Sequence, residues 1–153
     1  MSSYYFDTSA LVKLYIFETG SRWTKHIYDT YDDEIAMALI GVTEAAAALA
    51  RRTRLGELPP RHQQFLYNRL LGDSKTRFNL FAVDEALAYL AAELTQRYPL
   101  RGYDAVHLAS ALKLNQQLIS VGLTPLTFLS ADTILCTAAI AEGLAADNPN
   151  NHP

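Results

Sequence analysis

The sequence predicts an α/β fold of three layers, with helices on both faces of a mostly parallel sheet. Short apolar runs of strand length recur between stretches with helical spacing. Each run leads through a turn or an acidic residue into the next helix, and strands that alternate with helices are joined by right-handed crossovers that cover both sheet faces. Half of the 153 residues are hydrophobic, enough for one buried core.

The first unit is Tyr4 to Phe6, a short aromatic strand ending at Asp7, followed by helical spacing from Ala10 to Tyr15. The second runs from Glu34-Ile35-Ala36-Met37-Ala38 through Gly41 into an alanine-rich helix from Glu44 to Arg51 that closes before Gly56, with Thr43 as its expected N-cap. Pro59-Pro60 opens a helix expected to break at Gly72-Asp73-Ser74, pairing with its predecessor as a hairpin. Leu80 to Val83 reads as a strand, and Asp84 opens a helix with the stripe Leu87, Leu90, Ala91, Leu94 and Tyr98, ended by Pro99. A centrally packed helix is expected from Asp104 to Leu118, a strand from Leu126 to Ser130, and a last helix from Asp132 to Glu142 before Gly143. One domain is expected over residues 1–146, with a disordered polar tail at 147–153.

Thirteen Lys and Arg against sixteen Asp and Glu give a net charge of −3, which excludes a generic polycation that coats nucleic acid or membrane. No apolar stretch reaches the roughly 18 to 20 residues of a membrane span. The start of the chain lacks the basic and apolar regions of a signal peptide. A lone cysteine, Cys136, makes no internal disulfide and fits a small, mostly buried side chain in a reducing compartment. A cytoplasmic protein is the expectation.

In open α/β sheets ligands collect beyond the carboxyl ends of the strands, where helices begin. Asp7, Asp84 and Asp132 stand at such junctions, and Glu44 and Asp104 are expected in first helical turns. Taken singly, each is most simply a cap or a partner of the helix dipole. Asp84, followed by Glu85 and a surface helix, keeps that reading. The other four have neighbours unlike those of a surface cap: Asp7 lies between aromatics and Thr8-Ser9, and Asp104 introduces an apolar helix. Carboxylates gathered at one place repel one another unless a cation sits among them. An all-carboxylate set without a His or Cys group favours Mg²⁺ or Mn²⁺ over zinc.

Four segments occur in order: Asp7-Thr8-Ser9-Ala10-Leu11-Val12-Lys13-Leu14-Tyr15 with Glu18, Gly20 and Ser21; Thr43-Glu44 with Ala48-Leu49; Tyr103-Asp104-Ala105 with His107-Leu108-Ala109; and Phe128-Leu129-Ser130 with Asp132 and Leu135. Together, over residues 4 to about 144, they resemble the PIN-domain ribonucleases, most of all the VapC-like toxins of type II toxin–antitoxin pairs. The resemblance implies a parallel sheet of about five strands. It also implies an acidic quartet, Asp7, Glu44, Asp104 and Asp132, that holds Mg²⁺ or Mn²⁺ and catalyses RNA hydrolysis, with the hydroxyls of Ser9 and Ser130 lining the site. It further implies a homodimer and a cognate antitoxin. The last segment departs from the pattern, with Ser130 where threonine is common and Thr133 and Ile134 where basic or polar residues often follow the acid.

On this reading Asp7 and Asp104 are primary ligands, Glu44 a ligand or the base that orients water, and Asp132 a second-metal or outer ligand. His107, three residues beyond Asp104, is expected to pack and hydrogen-bond behind the site. Arg51 shares a side of its helix with Glu44 and is the expected RNA contact. Lys13 could face a phosphate, though a surface lysine is the simpler expectation. Tyrosines and Trp23 could stack unpaired bases, with packing the commoner use. A phosphate-loop or aspartyl-nucleophile enzyme is disfavoured, since no GxGxxG or P-loop occurs and Ser9 stands where a second Asp is wanted. The competing reading is a non-catalytic PIN-like module that binds RNA or protein; its mark would be a broken quartet.

Overall fold

The computed structural model describes residues 2–31 and 34–153. Five strands, β1 (Tyr4–Phe6), β2 (Ile35–Ala38), β3 (Asn79–Phe81), β4 (Thr127–Leu129) and β5 (Ala145–Asp147), form one sheet in the order β3-β2-β1-β4-β5, parallel throughout. Seven helices connect them: α1 (Thr8–Val12), α2 (Ser21–Thr30), α3 (Ile40–Arg54), α4 (Pro60–Thr76), α5 (Glu85–Arg97), α6 (Gly102–Ser120) and α7 (Thr133–Ala141).

Alternation along the strands divides the core in two. Tyr5, Ala36, Ala38 and Phe128 pack with residues of α5, α6 and α7, including Leu94, Leu108 and Leu135. Their neighbours Phe6, Ile35, Met37 and Leu129 pack with residues of α1 to α4, including Leu11, Ile27, Leu49 and Leu70. A strand period of two, with both faces buried, is what makes three layers. The order of strands reverses at β1, which lies between β2 and β4, so the crevice at that reversal opens where β1 and β4 end. Among the described residues no helix is long and apolar enough to cross a membrane.

Four expectations need correction. α3 begins at Ile40, not at Glu44, so Thr43 is no cap and Glu44 lies beyond the first turn. Gly41 is part of that helix, and a Cβ there would run into the Met37 methyl, so glycine lets α3 settle close on β2. α4 continues through Gly72-Asp73-Ser74 because Leu70 and Ser74 are buried and Ser74 Oγ donates to Leu71 O at 2.8 Å. α2 has no counterpart in the sequence reading. The expected disordered tail is instead the end of β5 and a 3-10 turn (Pro149–Asn151). His152 stacks on Trp23 with ring centroids 4.1 Å apart, and its Nε2 lies 3.0 Å from both Asp147 carboxylate oxygens. Gly20, at φ 82°, admits Pro149 where any side chain would meet its carbonyl.

Candidate active site

Asp7 follows β1 and caps α1. Its backbone is extended, and Oδ1 accepts from Ala10 N at 2.9 Å. The side chain is buried, and two hydroxyls complete its shell: Ser9 Oγ donates to Oδ1 and Ser130 Oγ to Oδ2, each at 2.6 Å. Ser9 Oγ also accepts from Ala131 N at 2.8 Å, and Ser130 Oγ from Asp132 N at 3.0 Å, so the two hydroxyls lock the end of β4 to the end of β1. Burial pushes the Asp7 carboxyl above its ordinary range, although His107 and these donors oppose the rise.

Glu44 reaches the same place from α3. Its Oε1 accepts from Thr8 Oγ1 and from His107 Nε2, each at 2.7 Å. Because a carboxylate only accepts, Nε2 carries the ring proton, and Nδ1 takes its hydrogen bond from Tyr5 OH at 3.0 Å. Tyr5 OH in turn accepts from Ala38 N at 2.9 Å. A directed chain therefore runs from the β2 backbone through Tyr5 and His107 to Glu44. Burial raises the Glu44 carboxyl, but the His107 and Thr8 hydrogen bonds outweigh it and hold it below the ordinary value. His107 is thus a buried side chain whose carboxylate partner is Glu44, not Asp104.

Asp104, in the first turn of α6, meets Arg101 Nε through Oδ2 at 3.3 Å. Asp132 caps α7, its Oδ1 accepting from Ile134 N at 2.9 Å and Leu135 N at 3.2 Å. Asp7, Glu44, Asp104 and Asp132 all line one cleft of about 660 Å³. Glu44 Oε2, Asp104 Oδ1 and Asp132 Oδ2 have no protein donor among the described residues. In this arrangement Ser, Thr, His and Arg donors hold the acids, and among the described residues no three His, Cys, Asp or Glu side chains draw together tightly enough for one ion. The donor set itself, carboxylates alone, suits a hard cation.

The cleft also takes in Arg51, which is exposed and makes no ion pair among the described residues, and Arg54. Lys13 lines it too, but not as a surface lysine: the chain is buried, with Nζ 2.9 Å from Glu18 Oε1 and donating to Thr19 O at 2.7 Å. Arg52 closes the same network on Glu18 at 3.1 Å. Asp84, at the end of the edge strand, is not among the cleft residues and caps α5. Tyr5, Thr8 and Arg101 were not singled out by the sequence; only the position of Thr8 beside Asp7 hinted at its part. Cys136 is half-buried, as a structural thiol, and burial pushes it up to about 11.

Comparison with known proteins bears on the fold and the family. Two Mycobacterium tuberculosis proteins, Ribonuclease VapC45 and Ribonuclease VapC49, are each 34% identical to the chain over 115 residues, covering 71% of this chain and 74% of theirs. The fold matches FitAcB from Neisseria gonorrhoeae at a TM-score of 0.66 (21% identity, 95% and 97% of the two chains). It matches the sarcin-ricin loop cleaving toxin VapC20 from Mycobacterium tuberculosis at 0.64 (17% identity, 94% and 97%). The PIN domain family matches residues 4–123, and with the ribonuclease relatives beside that match the chain belongs to this family.

Proposed function

We propose that this chain is a divalent-metal-dependent endoribonuclease, the toxin of a toxin–antitoxin pair. The meeting of Asp7, Glu44, Asp104 and Asp132 in one cleft at the reversal of strand order carries this conclusion. The relatives named ribonucleases support the reaction class, and the matched folds include a toxin–antitoxin complex from Klebsiella pneumoniae.

Asp7 and Asp104 would hold the Mg²⁺ or Mn²⁺, with Glu44 beside them and Asp132 at the outer edge. When bound, the ion supplies Lewis acidity to the phosphoryl oxygens and charge neutralisation for the cleft. The residues of the chain do the rest. Ser9 and Ser130 hold the Asp7 carboxylate by both oxygens and so fix its orientation towards the cleft. Glu44, fixed through Oε1, keeps Oε2 to orient the attacking water and accept its proton. His107 and Tyr5 position Glu44 and do not touch the substrate. Arg101, which meets Asp104 at 3.3 Å, would be free to turn to the substrate once a cation neutralised that carboxylate, and Arg51 with Arg54 would carry the RNA backbone along the cleft wall. A homodimer and an antitoxin whose segment covers the acids complete the proposal.

Purified protein should cut single-stranded or loop RNA in Mg²⁺ or Mn²⁺, stop in excess chelator, and lose at least about 100-fold in rate with Asp104→Asn. Cleavage undiminished by both chelator and Asp104→Asn overturns the metal mechanism. RNA that is bound but never cut, with all four acids in place, would instead make the chain a binding module.

A further inference from the structure

A second hollow opens beside the acids. It has a volume of about 590 Å³, within the range of pockets that take organic ligands. Ala88, Ala91 and Ala92 of α5 form one wall, and Val106 with the start of α6 forms the other. Glu44, Arg101 and Asp104 belong to both this groove and the acidic cleft, so the two hollows meet at the carboxylates. Tyr103, directly before Asp104, stands at the groove 62% exposed, and its hydroxyl makes no hydrogen bond among the described residues. Phe17, Phe65 and Tyr89 are as exposed, but Tyr103 is the ring that lines this groove beside the acids.

We propose that this groove is a nucleobase pocket in which Tyr103 stacks the base of the nucleotide flanking the scissile phosphate. The proposal rests on the ribonuclease reading and adds to it the means by which the strand is held in register. Continuity favours a nucleotide over other occupants: a strand whose phosphate lies at Asp104 has its neighbouring base within reach of the groove. Charge favours it too, since the Arg101 side chain, 87% exposed at the shared lip, offers a fork of donors to the adjoining phosphate. The alanine methyls and Val106 give the base apolar surface within the same groove. Apart from Tyr103 at the mouth, the hydroxyl in the lining is that of Thr95, which donates to Ala92 O at 2.6 Å while accepting from Gln96 Nε2 at 3.1 Å. The apolar end therefore has little with which to read a base edge. Recognition is by stacking and size, which gives a graded preference for purines rather than a strict sequence rule.

Short single-stranded RNAs with 2-aminopurine at successive positions test this, mixed in Mn²⁺ with the full chain carrying Asp7→Asn to prevent cutting. One position should be strongly quenched on binding. Adding Tyr103→Ala should remove the quench and weaken binding about 10-fold. Tyr103→Phe should preserve both, and Ala92→Leu, which fills the groove, should act like Tyr103→Ala. In the cleaving protein Tyr103→Ala should raise KM about 10-fold with kcat within about 3-fold. An abasic nucleotide at the quenched position should erase that difference. Quench and KM unmoved by Tyr103→Ala and Ala92→Leu, in a protein that still cuts RNA, overturn the base pocket alone. A change of sedimenting mass in these variants with RNA binding intact assigns the groove to a second copy and equally overturns it. RNA neither bound nor cut by the unmodified chain overturns the ribonuclease reading and the pocket together.

Discussion

Asp7 and Asp84 are built alike and end differently. Both follow a strand in extended backbone, at φ −75° and −90°, and both cap the next helix by accepting from the amide three residues on, at 2.9 and 2.8 Å. Asp7 is buried among Ser9, Ser130 and Ala10, whereas Asp84 is exposed and meets Lys113 at 3.2 Å. β1 lies inside the sheet with β4 beside it, and β4 brings Ser130 and Asp132; β3 is an edge. The local signal makes a cap, and only position in the sheet makes a site.

The largest break in that symmetry is expected in catalysis. Asp7→Asn should lower single-turnover cleavage of RNA in Mn²⁺ by about 1,000-fold or more, and Asp84→Asn by less than about 2-fold. Equal losses would mean that sheet position does not separate the two acids. Metal linkage comes next. Mn²⁺ at about 100 times its Kd should stabilise the folded protein by about 2.7 kcal/mol, or about 8 °C in Tm for a chain of this length. Asp104→Asn should remove most of that gain and Asp84→Asn none of it. A flat melting curve on Mn²⁺ titration of the unmodified chain would sink the bound cation.

Much of this contrast was legible before any coordinates. Asp84 keeps the plain cap reading, four of the five strands fall where apolar runs predict them, and all four site acids share a cleft. What escaped has physical causes. The buried face of α2 begins with Ser21 and Thr24, whose hydroxyls donate to Ile16 O and Gly20 O, so only Ile27 and Tyr28 mark that face as apolar. β5 is Ala-Ala-Asp, a strand only because β4 pairs with it. Lys13 looked like a surface residue because its partner Glu18 lies five positions on, past the end of α1. The relay from Tyr5 to His107 joins residues 102 apart, a distance at which spacing says nothing.

That relay sharpens the comparison, since Asp84 has nothing like it behind its carboxylate. Tyr5→Phe leaves Ala38 N–H without its acceptor and His107 Nδ1 without its donor, both in buried surroundings. A buried donor left unmade costs about 1 to 3 kcal/mol. Denaturant unfolding should show that loss with the slope m unchanged, and kcat should fall because Glu44 loses the orientation of its histidine. Full stability and full rate in Tyr5→Phe would reduce the relay to a coincidence of packing.

The smallest difference is the one that separates the two acids most cleanly, because its sign reverses between them. Burial raises the folded pKa of Asp7 above its unfolded value. More protons are then bound in the folded state, so its contribution to stability is full below the unfolded pKa, about 3.9, and is lost as pH rises through the folded one. Asp84 has its pKa lowered, by the Leu87 N–H first and then by Lys113, so its contribution is present above about 3.9 and is lost as pH falls through the folded value. In chelator at pH 7, Asp7→Asn should therefore raise Tm, by about 3 °C if it regains roughly 1 kcal/mol, the scale on which active-site residues trade stability for function. That gain should shrink towards zero as pH falls below the unfolded pKa, where the carboxyl is protonated in both states. Asp84→Asn keeps the cap but not the charge, and should lower Tm at pH 7 by no more than about 1 °C. Two neutral amides at two helix starts would thus move stability in opposite directions. A fall in Tm for both would show that the Asp7 carboxylate is comfortable where it lies, and that no cation is needed to hold it there.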